Sequence, residues 1–341
     1  METPYSTLHS YDIGTVYTVE SLSAGIIHDT WKVDASRGRY ILQHVSPIFS
    51  PAVMEDTNTV LNFLRLHGCF MMEIVHANNG SLYVPDGARF WRLFTYVHGH
   101  VYESVDIPTI AYEAGKILGT YHGILQGVEY TFKHVRPIKH NIPALFQAYQ
   151  HAAAGNSDPE IAVLLPVIDV LPSLDLPKSL RHTINHGDPK ISNFIFTEDG
   201  LMARTMVDFD DCGNQYNVLY ELGGAFRSWC QIRTQSAEMT TFSLPYFKAG
   251  LEGYCAGAQD FLNDEEWELL PQALQLIPLE LASRFVRDIF EDCYFRWDSK
   301  RYPSRQAHNL ARAQGQVVLY HDIVRQGDDI RRIIKEIRKI V

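Results

Sequence analysis

Cysteine is scarce in this chain, and basic residues are fewer than acidic ones. The five cysteines, Cys69, Cys212, Cys230, Cys255 and Cys293, are odd in number, widely spaced and without a CxxC pair. Neither a disulfide framework nor a thiolate zinc site is indicated, and reduced core thiols are expected. Thirty Lys and Arg against forty Asp and Glu leave a formal charge of −10 and a pI near 5.8. There is no general basic field, so broad binding to nucleic acid is not expected and any phosphate needs a local site. No apolar run approaches a transmembrane length, and the N-terminal METPYSTLHSYDIG lacks a basic stretch followed by an apolar one. The expectation is a cytosolic protein with no membrane partner. Fifteen histidines are present, yet no HExxH spacing occurs among them, so they do not indicate a zinc hydrolase site.

What is present is apolar content sufficient for a large core, 46% over 341 residues, enough for two domains or one bilobal unit. YTVESL, HDTWKV and RYILQHV read as three antiparallel strands with a turn at ASRGR. SPAVMEDTNTVLNFLRLHG opens at Ser-Pro, places Val53, Val60, Leu61 and Leu64 on one face and stops at Gly68, a helix with defined ends. SLYVPDGARFWRLFTYV returns to strands around the turn PDGAR. After HGH the spacing of Ile110, Ala114, Ile117, Leu118 and Tyr121 becomes helical. Helical patterns continue to the C-terminus, where DDIRRIIKEIRKIV is expected to dock its Ile face on the protein. Only residues 184–207 interrupt them, with the strands NFIF and ARTMVDF around the turn TEDGL.

Two charged motifs flank that hairpin: HGDPKISN before it and MVDFDD after it. Loops entering and leaving one pair of strands at the same end can bring Asp188, Asn193 and Asp208 together. A carboxylate and an amide oxygen are hard donors suited to Mg²⁺, which assigns Asn193 and Asp208 to a metal. Asp188, five residues before Asn193, is placed to accept a proton from an attacking hydroxyl. Lys190 is placed to offset charge on a transferred phosphoryl group.

This motif pair resembles that of the aminoglycoside phosphotransferase and choline kinase group, relatives of the protein kinases. The order of GIIHDTWKV, FWRLFTYVHGH, YELGGAFRSW, RFVRDIFEDCYF and HNLARAQGQ is similar to a subgroup that includes N-acetylhexosamine 1-kinases. The resemblance implies an α+β, protein-kinase-like bilobal fold: residues 1–97 as an N-terminal lobe of antiparallel sheet with one helix, and residues 98–341 as a mainly helical C-terminal lobe. It implies ATP as phosphoryl donor, Mg²⁺, Asp188 as catalytic base with Lys190, and His186 as a loop-structuring residue. Asp210 is expected to lie behind the metal or to bind a second one.

Protein kinases hold the nucleotide phosphates with a lysine on the third strand paired to a helix glutamate. Here that strand carries Gln43 and His44, while Lys32 lies on the preceding strand and Glu55 on the helix. Gln43, His44 and Lys32 are therefore the expected nucleotide contacts, with the single glycine Gly25 in place of a full GxGxxG loop. Thr95, Tyr96 and Val97 are expected at the adenine. The implied acceptor is a small molecule, a sugar or amino sugar, possible contacts being His28, Arg227, Arg284, Asp288, Tyr294, Arg301 and Arg305. A choline-like alcohol, an amino-acid hydroxyl, an antibiotic or a non-catalytic binding role remain the alternatives.

Overall fold

Alternation of side chains along the strands decides how the N-terminal sheet faces the rest of the chain. In the computed structural model, which describes residues 4–22, 27–135, 139–233, 240–292 and 294–340, a short helix α1 (Pro4–Leu8) precedes β1 (Val16–Leu22), β2 (Asp29–Ala35) and β3 (Gly38–Val45). Then come α2 (Val53–Leu66), β4 (Ile74–Val75), β5 (Val84–Asp86) and β6 (Arg89–Thr95). All pairings are antiparallel, in the order β1-β2-β3-β6-β4, with β5 also on β6. Val33, Tyr40, Leu42, Trp91 and Leu93 point to one face and bury α1 and Tyr11 there. Val45, Phe90 and Phe94 point to the other, where Val60, Leu61 and Leu64 of α2 join them. The helix begins and stops as its sequence predicts, with Gly68 at φ +85° just past its end, a conformation glycine adopts without steric cost.

The helical part follows: β7 (His100–Val101), α3 (Pro108–Leu125), α4 (Ile142–Ala153), α5 (Pro159–Ala162), α6 (Leu165–Ile168), β8 (Thr183–Asn185), β9 (Phe194–Phe196), β10 (Ala203–Met206) and β11 (Gly213–Tyr216). It ends with α7 (Val218–Trp229), β12 (Gln231–Arg233), β13 (Thr240–Phe242), α8 (Leu244–Ala258), α9 (Asp264–Glu291), α10 (Arg305–Arg325) and α11 (Gly327–Arg338). The β9–β10 hairpin is where the sequence places it. Three further short pairings accompany it: β7 on β9, β8 on β11 and β12 on β13. Strands of two to four residues carry too little alternation to be read from sequence. The C-terminal helix is amphipathic as expected, and Ile330, Ile333, Ile334 and Ile337 are buried. Asn263 and Glu266 form a reciprocal capping box at the start of α9, which satisfies two end amides. Among the described residues no helix is long and apolar enough to cross a membrane. The described cysteines are free thiols, and Cys293 lies outside the described residues.

Helices α3 and α8 pack backbone against backbone because glycines line their contact. A Cβ added at Gly119 would lie 2.7 Å from the Ala258 amide nitrogen, and one at Gly115 would lie 2.8 Å from that of Tyr254. Overpacking of this kind costs about 1–3 kcal/mol where the neighbours are side chains, and backbone neighbours yield less. Gly119→Val is therefore expected to lower the urea midpoint followed by circular dichroism, with m unchanged. An unaltered midpoint would contradict the close approach of the two helices.

Candidate active site

The two charged loops meet because two strand pairs hold both of their ends. Gly213 pairs with Asn185 through β11 and β8, while Met206 pairs with Phe194 through β10 and β9. The Val207 amide then donates to the Asn193 carbonyl at 2.9 Å. Gly187 has φ +91°, and a Cβ there would meet Asp211, its own Cβ 2.6 Å away, so only glycine fits the crossing. Asp208 is itself left-handed, at φ 71° and ψ 57°. A non-glycine residue tolerates that conformation at a cost and does so preferentially at functional turns.

Helix α7 supplies the fixed surface on which the first loop lies. Glu221, buried, accepts from the backbone amides of His186 and Gly187 at 2.8 and 2.9 Å. Seven and eight residues later, Ser228 Oγ accepts from the Ile191 amide at 3.1 Å and Trp229 Nε1 donates to the Pro189 carbonyl at 2.9 Å. Burial pushes the Glu221 carboxyl up, but its contacts with His122 and His186 and the Gly187 amide outweigh it and leave it lowered. His186 Nδ1 accepts from the Asp188 amide at 3.2 Å, so Nε2 carries the proton donated to the Val207 carbonyl at 3.0 Å. Burial keeps this imidazole below its ordinary pKa, consistent with a neutral ring that ties one loop to the other.

Four groups named from the sequence come together here. Asp188 Oδ2 accepts from Lys190 Nζ at 2.8 Å. Asn193 Nδ2 donates to the Asp188 carbonyl at 2.8 Å, which commits the amide nitrogen to the loop and directs the amide oxygen the opposite way. Burial raises the Asp188 carboxyl, but Lys190 and Lys139 overcome that and hold it below the usual range, so it stays ionised. Burial depresses Lys190, but Asp188 and Asp208 more than restore it, so it stays protonated. Asp208 behaves differently: burial and the Asp210 charge raise it. A carboxylate held up by a like charge favours a cation beside it, and with the freed Asn193 oxygen this is the donor set that fits Mg²⁺. Lys139, donating to the Gly187 carbonyl and to Asp211 Oδ2 at 2.7 Å, clips the two loops together.

The N-terminal sheet faces the loops with Thr30, Lys32, Ile41, Gln43, Arg92 and Phe94, as the register of β2, β3 and β6 requires. Gln43 is on this face; His44 is not. Strand alternation turns His44 to the opposite side, stacked on Trp91 at 4.1 Å and 3.1 Å from Asp86, which corrects its expected place at the phosphates. Lys32 lies 5.9 Å from the Tyr96 ring centroid, just beyond the end of β6, and about 4 Å from Glu20 and Asp34. Thr95 exchanges hydrogen bonds with Glu73, and the Tyr96 amide donates to the Arg39 carbonyl. Val97 is buried just beyond. Gly25 lies outside the described residues. His28 is not free for a substrate: Nδ1 accepts from the Ser46 amide at 3.0 Å, leaving Nε2 to donate to Asp210 at 2.7 Å. Glu55 pairs with the exposed Lys133 instead of a strand cation, while its neighbour Asp56 holds Tyr130 and the amides of Lys133 and His134.

The expected acceptor contacts divide. Arg227, in the last turn of α7, lies close enough to Lys190 to oppose its charge. Arg284 covers the rings of Tyr294 and Phe295 at 5.4 and 5.6 Å and acts on Glu280, which His140 contacts at 2.8 Å. Asp288 is buried and accepts from the Tyr294 and Phe295 amides and from Asn309. Arg305 is 3.1 Å from Asp292. Those two residues fix the segment between α9 and α10, so their polar atoms serve the fold first. Arg301 is exposed in a turn of that segment.

Residues 18–254 match the phosphotransferase enzyme family, APH. The chain belongs to that family. Solved structures of similar fold include a microcompartment-associated aminopropanol kinase, 19% identical with a TM-score of 0.67, covering 96% of this chain and 97% of that one. An amicoumacin kinase in complex with AMP-PNP, Ca²⁺ and Ami is 16% identical with a TM-score of 0.61, over 93% and 96%. Choline kinase from Cryptosporidium parvum Iowa II is 12% identical with a TM-score of 0.59, over 93% and 91%. The fold is therefore the protein-kinase-like fold of these phosphotransferases, an antiparallel N-terminal sheet followed by a helical part, and the protein is an enzyme transferring phosphate to an alcohol.

Sequence reading missed Arg92, Glu221 and Lys139. Arg92 sits within the apolar strand FWRLF, and a charge in such a run signals a buried pairing; Glu221 in the apolar helix VLYELGGAF gives a similar signal. Nothing local marks Lys139. Glu221→Ala is expected to cost about 1–3 kcal/mol for each amide left unpaired and to lower kcat through the displaced loop. In the wild type the folded carboxyl lies below its ordinary value of 4.5, so its stabilising effect is complete above about pH 4.5 and fades as pH falls toward the folded pKa. Glu221→Gln is expected to be less stable at pH 7 and to lose less stability on acidification to pH 3. Parallel acid profiles for the two proteins would contradict this role.

Proposed function

We propose that this phosphotransferase is an ATP- and Mg²⁺-dependent kinase of a small-molecule hydroxyl, with a sugar or amino sugar as acceptor. The observation that carries the kinase reading is the convergence of Asp188, Lys190, Asn193 and Asp208 on one pair of strand-held loops. In this reading residues 1–97 hold the nucleotide, through Gln43, Lys32 and the backbone of Thr95 to Val97, and residues 98–341 hold the catalytic groups and the acceptor. Asn193 Oδ1 and Asp208 would hold the metal. Bound there, Mg²⁺ supplies charge neutralisation and alignment of the nucleotide phosphates. Asp188, ionised and beside the loop, takes the proton of the acceptor hydroxyl. Lys190 stays protonated and offsets charge on the phosphoryl oxygens.

The acceptor class rests on the resemblance described above and on one feature of the C-terminal part. The aromatic faces of Tyr294 and Phe295 are covered by guanidinium groups, Arg284 on both and Arg312 on Phe295 at 5.9 Å. A quaternary ammonium needs open aromatic faces; here Arg312 covers one while donating to the Arg296 carbonyl and to Asn309, and Arg284 is the guanidinium taken to direct donors to the hydroxyls and carbonyls of a sugar derivative. The attacked hydroxyl is taken to be the anomeric one, on the resemblance alone.

The test is acceptor-dependent ADP release from MgATP across sugars, N-acetylated and free amino sugars, aminopropanol, choline and aminoglycosides. An N-acetylhexosamine is expected to be turned over fastest, and Asp188→Asn to lose at least about 1,000-fold in kcat. Exclusive turnover of choline or aminopropanol would overturn the acceptor; full activity in Asp188→Asn would overturn the assignment of the base. Arg284→Ala is expected to raise KM for the acceptor about 10-fold or more while leaving KM for MgATP within about 2-fold.

A further inference from the structure

Resting on the phosphotransfer reading above, we infer that Arg92 takes over the organising task of the missing strand lysine, clamping Asp210 to the N-terminal sheet and keeping it out of the metal's ligand set. The position is set by register. Gln43 stands where the lysine is expected, and its direct cross-strand partner on β6 is Arg92. Arg92 Nε donates to Gln43 Oε1 at 2.9 Å, and both terminal nitrogens fork onto the Asp210 carboxylate, Nη2 to Oδ2 at 2.7 Å and Nη1 to Oδ1. Arg92 is 1% exposed and Asp210 3%. His28 completes the enclosure, because the Ser46 amide occupies Nδ1 and directs Nε2–H to the same carboxylate.

This cluster joins two N-terminal strands and the residue preceding a third to the loop that carries Asp208. His28 precedes β2, Gln43 is on β3, Arg92 is on β6, and Asp210 is two residues after Asp208. A bidentate arginine fixes both position and plane of its carboxylate. Asp210 is thus oriented by three donors from across the cleft, and Asp208 alone of the pair is left to face a cation. The carboxylates of His28's partner and its neighbour do lie close enough to form a ligand group with the histidine. That group is already closed by a fixed guanidinium, and a dication there would have to displace a buried ion pair, which is costly once one partner is left unpaired. The protein-kinase arrangement divides the work between a strand lysine and a helix glutamate. Here the helix acids Glu55 and Asp56 are both engaged with residues 130–134, and the clamp runs directly from sheet to loop, with α2 contributing only Met54 Sδ, 3.8 Å from Arg92 Nη1.

The experiment uses the full chain and the variants Arg92→Gln, Arg92→Lys, Asp210→Asn, Asp208→Asn and the Arg92→Gln/Asp210→Asn double. Arg92→Gln is expected to lower kcat about 100-fold with KM for the acceptor within about 3-fold. Arg92→Lys, which keeps the charge but not the fork, is expected to recover little of it and serves as the readable variant if Arg92→Gln folds poorly. Asp208→Asn is expected to raise the apparent Mg²⁺ requirement about 10-fold or more, and Asp210→Asn to leave it within about 3-fold of wild type. The double variant is expected to be no worse than Arg92→Gln alone. Without any substrate, hydrogen exchange at residues 207–212 is expected to rise in Arg92→Lys and Asp210→Asn. A Mg²⁺ requirement in Asp210→Asn raised as far as in Asp208→Asn, additive losses in the double, or unchanged exchange would each overturn the clamp. Because exchange needs no turnover, a wild-type chain that phosphorylates no acceptor would defeat the kinase reading and leave this inference separately decidable.

Discussion

Everything at the site depends on one buried carboxylate accepting two consecutive backbone amides. Glu221 holds the amides of His186 and Gly187 from within α7, and the rest of that helix adds Ser228 and Trp229 farther along the loop. The loop thereby becomes an extension of a rigid helix. This backbone anchoring sets the place of Asp188, and His186, Lys190 and Asn193 then hold the residue itself, which remains part-exposed. The same logic explains Gly187: the anchored loop passes so close to Asp211 that no side chain fits between them.

The second loop is held from the other side. Val207 is tied to Asn193 and to His186, and Asp210 is tied to the N-terminal sheet through Arg92 and His28. Asp208 sits between these two sets of constraints in a left-handed conformation. Its carboxyl is raised by burial and by Asp210, while Asp188 and Lys190 are held in their charged forms by each other. Asp188, Lys190 and Asp208 therefore differ in environment even though the fold brings them to one place, the condition under which neighbouring ionisable groups can take separate tasks.

Much of this was legible in the sequence, for a local reason. The turn chemistry of HGDPKISN, the hairpin turn TEDGL and the ends of α2 are written in adjacent residues, so the hairpin and the approach of its two flanking loops are legible there, and the fold class follows from the resemblance those motifs carry. The choice between Gln43 and His44 is not legible there, because it rests on which face of β3 meets α2, a register that depends on β6. Arg92 and Asp210 lie 118 residues apart, and Glu221 lies 35 from His186; no local pattern pairs them. Asp288 and Arg305 are expected as acceptor contacts because they lie in segments that resemble the sugar-kinase subgroup, although Arg- and Asp-bearing helices more often use such groups in ion pairs. Both are instead engaged in fastening Asp292, Tyr294, Phe295 and Asn309. His28 illustrates the same limit: its ring nitrogens are each committed to a partner that only folding brings near.

The most direct measurement of the central claim is ³¹P NMR of the chain with MgATP and an N-acetylhexosamine, following where the γ-phosphorus goes. The account predicts a new sugar-phosphate resonance growing in step with ADP in the wild type and absent in Asp188→Asn. ATP converted only to inorganic phosphate, or a sugar phosphate formed equally by Asp188→Asn, would contradict it.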